Sequence, residues 1–149
     1  MKFLITGGLG FIGSHLTDSL IKKNHEVVIL TKSLSKKNNV KNSSKKIKIK
    51  KIDVTNYLPV FKIMKKYKPD VVIHLAGNTS HSKSFENPIE DLDSNTKSTI
   101  LLLEIIRKLK LKTKFILGST FIVIGKPSKL PVNEKTESNP TTIYGANRL

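Results

Sequence analysis

Four glycines crowd the segment Gly7-Gly8-Leu9-Gly10-Phe11-Ile12-Gly13. It follows the apolar run Phe3-Leu4-Ile5-Thr6 and leads into apolar residues at 12, 16, 20 and 21, a helical spacing. Such a strand-to-helix junction has a definite chemistry. One glycine permits the tight turn, another lets the backbone approach a pyrophosphate, and a third lets the helix pack on the strand. The helix N-terminus then offers unpaired amides and a partial positive charge to the anion. By contrast, His15, His25, His74 and His81 show no metal-ligand spacing, so no metal is expected. His74 reads as a partly buried strand residue and His15 as surface.

The elements that must position this turn follow from hydrophobic patterning. Phe3–Thr6 reads as a first strand and Phe11–Lys23 as a helix. Val27-Val28-Ile29-Leu30 is a continuously apolar second strand, the kind covered on both faces. A Lys/Ser/Asn-rich stretch from Thr31 to Lys46 reads as a mobile loop, and Ile47, Ile49 and Ile52 mark a third strand. Asn56 to Lys68 is predicted helical, with Leu58, Phe61 and Met64 on one face and Pro69 closing it. Asp70 to Leu75 is a fourth strand. Asn87-Pro88-Ile89-Glu90 carries a capping pattern and is predicted to open one helix reaching about Leu111. Lys114 to Leu117 is a fifth strand, and beyond Gly125 the pattern loosens. Short apolar strands alternating with helices specify an α/β fold, a Rossmann-type parallel sheet with helices on both faces, truncated after about five strands.

Composition narrows the classes. The 149 residues fit one domain, with 38% hydrophobic and 26% charged residues, a globular balance. Without cysteine there is no disulfide framework, thiolate metal site or cysteine nucleophile, which fits a cytoplasmic protein. No apolar run approaches the roughly 20 residues of a membrane span. Glycines interrupt the apolar start too early for a signal peptide. The net charge of +16 raises nucleic-acid binding, yet among 27 basic residues only Arg107 and Arg148 are arginine, the residue favoured in base and phosphate recognition. The lysines spread along the whole chain and read as solvated surface, so neither nucleic acid nor membrane is expected as a partner.

The spacing G-x-x-G-x-x-G, with Thr6 before it, resembles the short-chain dehydrogenase/reductase superfamily. More narrowly, the chain is similar to its extended branch, the NAD(P)-dependent sugar-nucleotide epimerases and dehydratases. The motifs run in order along the chain: TGGLGFIG, IDVTN, HLAG, ENP with SN, FILGST and YGANR. The resemblance implies that Gly7, Gly10 and Gly13 hold the pyrophosphate, with Phe11 and Ile12 beside it. Asp53 and Val54 would lie against the adenine, Asp53 bonding its exocyclic amine or, on local sequence alone, capping a helix. Leu75, Ala76 and Gly77 would line the nicotinamide side. Asn95 matches a helix asparagine of the family.

An acidic residue at the end of the second strand commonly grips the ribose hydroxyls of NAD. Thr31 and Lys32 stand there instead, so nothing repels a 2′-phosphate. Lys32 either attracts that phosphate or is solvated background; the cofactor is NAD or NADP, with a slight tilt to NADP. The resemblance further implies a tyrosine acid/base at Tyr144, a hydroxyl at Thr120 with Ser119 beside it, and a cation four residues after the tyrosine. The substrate implied is a nucleotide sugar, and the family's usual assembly is a homodimer, whose contact helices are expected to be incomplete here.

Three departures qualify this. Arg148 stands where the family has lysine, and its planar fork is not an equivalent cation, so weak or absent catalysis is expected. Phe121-Ile122 occupy the places where dehydratases carry Asp-Glu, which leaves epimerase or reductase chemistry. Finally, family members continue well beyond a Leu149 equivalent. Six residues from Tyr144 are too few for an independent helix, so Tyr144 is expected not to be held. The reading is therefore an NAD(P)-dependent nucleotide-sugar epimerase or reductase. A non-catalytic dinucleotide-binding module, or an inactive truncated fragment of such an enzyme, stands as the alternative.

Overall fold

The computed structural model describes residues 1–40 and 45–149. The mobility expected between Thr31 and Lys46 therefore lies in part outside the described residues. The chain forms two compact units, one comprising Met1–Ala76 with Ser98–Gly118, the other Gly77–Lys97 with Ser119–Leu149.

The first unit holds five parallel strands: β1 (Lys2–Thr6), β2 (Glu26–Thr31), β3 (Ile47–Lys51), β4 (Val71–His74) and β5 (Lys114–Leu117). Their order across the sheet is β3-β2-β1-β4-β5, a Rossmann-type arrangement. Alternation along β1 sends side chains to two cores. Phe3 and Ile5 join Val27, Ile29, Val71 and Ile73 beneath helix α1 (Phe11–Lys22), through Leu20 and Ile21. Leu4 joins Val28, Leu30 and Val72 on the other face. There Val60 and Met64 of α2 (Tyr57–Tyr67) and Leu102 and Ile105 of the later helix Ser98–Lys108 cover them. Each fully buried Leu or Ile contributes roughly 1.5–3 kcal/mol of transfer free energy.

One residue of each predicted helix stripe lies off the core, while Leu16, Leu20 and Ile21 of α1 and Phe61 and Met64 of α2 pack on it. Ile12 is 67% exposed, because α1 approaches the sheet through Gly13, Ser14 and Thr17 and not through the bulkier neighbour. Leu58 is 66% exposed, since the buried stripe of α2 starts at Val60 and returns at Met64. His74 is fully buried, not partly so, because both ring nitrogens find partners: Nδ1 lies 2.6 Å from Thr6 Oγ1 and Nε2 lies 3.0 Å from Ser98 Oγ.

The second unit contains the short helices α3 (His81–Glu86) and α4 (Pro88–Leu92) and a π-helical turn (Asp93–Lys97). The long helix predicted from Asn87 is formed from Pro88 to Lys108, with the π-helical turn Asp93–Lys97 inside it. Its start is as expected: the Asn87 side chain accepts from the Glu90 amide at 3.2 Å, with Pro88 in the first turn. The run Asp93-Ser94-Asn95-Thr96-Lys97 then departs from α-geometry before α5 (Ser98–Lys108) begins. Ser, Asn and Thr compete for backbone groups and favour such local widening: Ser94 Oγ donates to the Asp91 carbonyl at 3.3 Å. The unit ends in a 3-10 turn (Phe121–Ile124) and α6 (Ile143–Asn147).

Burial, reinforced by Glu26 and Asp70, pushes the Tyr67 phenol up to about 12. Its hydroxyl finds no hydrogen-bond partner among the described residues. The native state thus keeps a proton that the unfolded chain releases near pH ~10. Its stabilising effect is full below that pH and is lost as the pH rises toward about 12. Tyr67→Phe should leave stability at pH 7 unchanged or raise it by about 1 kcal/mol, since an unmet hydroxyl is removed. It should also flatten the alkaline decline. Urea unfolding of both proteins from pH 7 to pH 12 checks this, and identical alkaline slopes would refute it.

Candidate functional site

The C-terminal ends of the parallel strands are where ligands of such sheets bind. β1 ends at Thr6, and the glycine turn follows immediately. Gly7 has φ +69°, a conformation that favours glycine. Its amide donates to the Leu30 carbonyl at 3.0 Å, tying the turn to the end of β2. A Cβ on Gly7 would stand 2.8 Å from the Ala76 nitrogen and 3.0 Å from the Leu75 carbonyl carbon. The turn therefore lies directly against the Leu75–Ala76 segment that leaves β4. A Cβ on Gly13 would collide with the Gly7 carbonyl oxygen and stand 2.6 Å from Gly8 Cα. This is how α1 begins so close to the strand it follows.

The start of α1 suits an anion. Gly10 precedes it with extended backbone and provides no side-chain cap, and the first turn contains no acidic residue. Phe11 and Ile12 are exposed there, so their amides open the helix without a competing protein acceptor from a cap. A dinucleotide pyrophosphate fits this cradle, in which any side chain at 7 or 13 would intrude on neighbouring backbone.

The other predicted cofactor residues of this unit sit at adjacent strand ends. The Thr31 hydroxyl donates to the Ser33 carbonyl at 2.8 Å and accepts from the Ser33 amide at 3.3 Å, a local turn that leaves Lys32 exposed. The Ile52 amide donates to the Thr31 carbonyl at 2.8 Å, which places Asp53 just past the end of β3. Asp53 Oδ1 accepts from the Thr55 amide at 3.0 Å and from its hydroxyl at 2.9 Å, and Val54 is buried. Local capping is thus one real job of Asp53, and its other oxygen takes no part in that turn.

Sequence reasoning missed two supports of the turn. Asn39 Nδ2 donates to the Leu9 carbonyl at 3.0 Å, anchoring the loop after β2 to the glycine turn. Nothing in a lysine-rich polar loop singles out that asparagine. The second is a polar chain through the core, in which Thr6 Oγ1 accepts from the Ala76 amide at 3.1 Å and pairs with His74, which in turn pairs with Ser98. Thr6 and His74 were visible as motif residues, but Ser98 sits inside an otherwise ordinary helical stripe.

The second unit carries the hydroxyl-bearing candidates. Ser119 Oγ donates to the Arg148 carbonyl at 2.8 Å, so two predicted site residues meet there. Thr120 Oγ1 accepts from the Ile122 amide at 3.3 Å, capping the 3-10 turn while its own proton stays available to donate. Tyr144 lies on α6 and is 8% exposed. Contrary to the expectation from length, α6 is formed and tied down. The Thr142 side chain accepts from the Gly145 amide at 3.0 Å, an N-cap that the spacing of Thr142 and Gly145 could have signalled. Asn147 donates to Asp91 Oδ2 at 2.8 Å, and the Thr96 hydroxyl donates to the Asn147 carbonyl at 3.2 Å. Arg148 and Asn95 are buried, at 4% and 1% exposure, and Gly77 borders both.

The sequence profile of the GDP-mannose 4,6-dehydratase family matches residues 4–149. A putative UDP-glucose 4-epimerase of Methanocaldococcus jannaschii is 38% identical over 151 residues, covering 97% of this chain and 47% of the relative. The solved UDP-Glc/GlcNAc 4-epimerase of Campylobacter jejuni matches with a TM-score of 0.90 at 28% identity, over 99% of this chain and 45% of that one. The UDP-glucose 4-epimerase of Bifidobacterium longum, solved in complex with NAD+ and UDP, matches with a TM-score of 0.90 at 30% identity, over 99% and 46%. The chain spans about half the length of these relatives. With the glycine turn, the strand order and this family-wide match together, the chain belongs to the GDP-mannose 4,6-dehydratase family, among the epimerases and dehydratases of the extended short-chain dehydrogenase/reductase superfamily.

Proposed function

We propose that this chain binds NAD and serves a nucleotide-sugar epimerase reaction in which Tyr144 moves the proton. The observation that carries the reading is the side-chain-free cradle of Gly7, Gly10 and Gly13 at the uncapped start of α1. Gly7, Gly10 and Gly13 hold the pyrophosphate, with the Phe11 and Ile12 amides beside it. Thr31 and Lys32 border the adenosine ribose, Asp53 and Val54 the adenine, and Leu75, Ala76 and Gly77 the nicotinamide. The tilt toward NADP finds no support among solved relatives, since those described with a nicotinamide cofactor hold NAD. NAD is therefore the cofactor proposed.

When bound, NAD supplies the hydride acceptor and donor. The chain's own groups handle the proton. Tyr144 accepts the proton of the sugar hydroxyl and later returns it, as a general base and then acid. The Thr120 hydroxyl, with its proton free to donate, steadies the reacting oxygen, and Ser119 holds the carbonyl of Arg148. Arg148 follows Tyr144 by four residues and carries a positive charge. Phe121 and Ile122 offer no acid or base for removing water, which favours epimerisation over dehydration. A second reading, NAD binding without turnover, is supported by Arg148 in place of lysine, because a guanidinium keeps its proton and has a different reach.

Calorimetric titration with NAD and NADP should show one saturable NAD site and weaker NADP binding. Gly13→Ala should weaken NAD at least about tenfold, equivalent to about 1.4 kcal/mol. Absence of NAD binding by the folded chain would overturn the proposal. With UDP-glucose as probe, Tyr144→Phe should lower any turnover by about 10²- to 10⁴-fold while NAD affinity stays within about threefold. Unchanged turnover in that variant would remove Tyr144 from the reaction, and binding without any turnover would establish the second reading.

A further inference from the structure

The second unit holds an arginine where burial is unusual, and the structure shows what makes room for it. Arg148 is 4% exposed and Asn95 1% exposed. A Cβ built on Gly77 would fall on Arg148 Nη2 and Asn95 Oδ1, and would stand 2.9 Å from Arg148 Cζ. The guanidinium, together with the Asn95 side-chain oxygen, thus occupies the volume that any side chain at 77 would need. The arginine cannot withdraw by shifting its backbone. Its amide donates to the Gly145 carbonyl at 3.1 Å, and its carbonyl accepts from Ser119 Oγ at 2.8 Å.

We infer that Gly77 is a positioning residue for Arg148, and that Gly77 and Arg148 form a matched pair in which the missing side chain admits the guanidinium. A lysine carries a compact ammonium on a flexible stem and has no planar fork to collide with an alanine at 77. An alanine at 77 beside Arg148 must turn the fork out of its place. Gly77 also has φ +156°, so alanine carries a backbone cost, but that cost is the same whatever stands at 148. The pairing itself is steric. Its effect on cofactor binding rests on the function proposed above, which places Gly77 on the nicotinamide side.

The test is a double-mutant cycle on the full chain: wild type, Gly77→Ala, Arg148→Lys and the double variant. Thermal midpoint and NAD affinity are measured for each. Alanine at 77 should lower the midpoint by several degrees and weaken NAD about tenfold when Arg148 is present. In the Arg148→Lys background its effect on both should be clearly smaller, a non-additivity expected of residues in contact. Should Gly77→Ala fail to fold, recovery of folding in the double variant supports the pair. Equal effects in the two backgrounds, no effect beside Arg148, or a double variant that also fails to fold would overturn it. If wild type binds no NAD, the proposed function fails while the thermal cycle still decides the pairing.

Discussion

The first unit depends on how closely backbone approaches backbone at the glycine turn. Gly7 lies against the Leu75–Ala76 peptide and Gly13 against Gly7 and Gly8, with no side chain between. That contact lets α1 start immediately beyond β1 and turn back over the sheet. The helix that starts there has Gly10 as its N-cap, no side-chain cap and no acidic residue in its first turn. A side chain at 7 or 13 would therefore spoil the fit of helix on strand.

Close packing in the interior of a parallel sheet leaves little tolerance for unmet polar groups, and the polar core of this unit is organised accordingly. Thr6, His74 and Ser98 form a continuous hydrogen-bonded chain between β1, β4 and α5, and the Thr6 hydroxyl also accepts the Ala76 amide. Since Ala76 is the residue against which Gly7 packs, the chain bears directly on the turn. Buried networks that are satisfied in this way rigidify what they join. Asn39 performs a comparable service from outside, holding the Leu9 carbonyl.

The second unit is built on different physics. Its helices are short, and side chains cap their starts. Ser80, Asn87, Thr120 and Thr142 each receive an amide at the start of a helix or turn. Polar side chains then link distant segments, Asn147 to Asp91 and Thr96, and Ser119 to the carbonyl of Arg148. The proton-transfer candidates stand on this polar framework. An arginine buried there requires an equally specific vacancy, and Gly77 supplies it.

Sequence by itself determined the alternation of strands and helices, the parallel sheet and the glycine turn. These follow from continuous apolar runs, helical periodicity and glycine spacing, all of which are local properties of the chain. The cap at Asn87 was legible for the same reason. Tertiary structure decided which helix faces were buried. Ile12 and Leu58 belong to apolar stripes but face outward, because small residues in α1 and the placement of Val60 set the angle of approach. It also set a π turn at Asp93–Lys97 inside the helix expected from Asn87, where the Thr96 hydroxyl bonds the Asn147 carbonyl, a partner whose position no local pattern encodes. The role of Gly77 was hidden too. A glycine signals free space, but only the folded chain shows that a guanidinium 71 residues further along fills it.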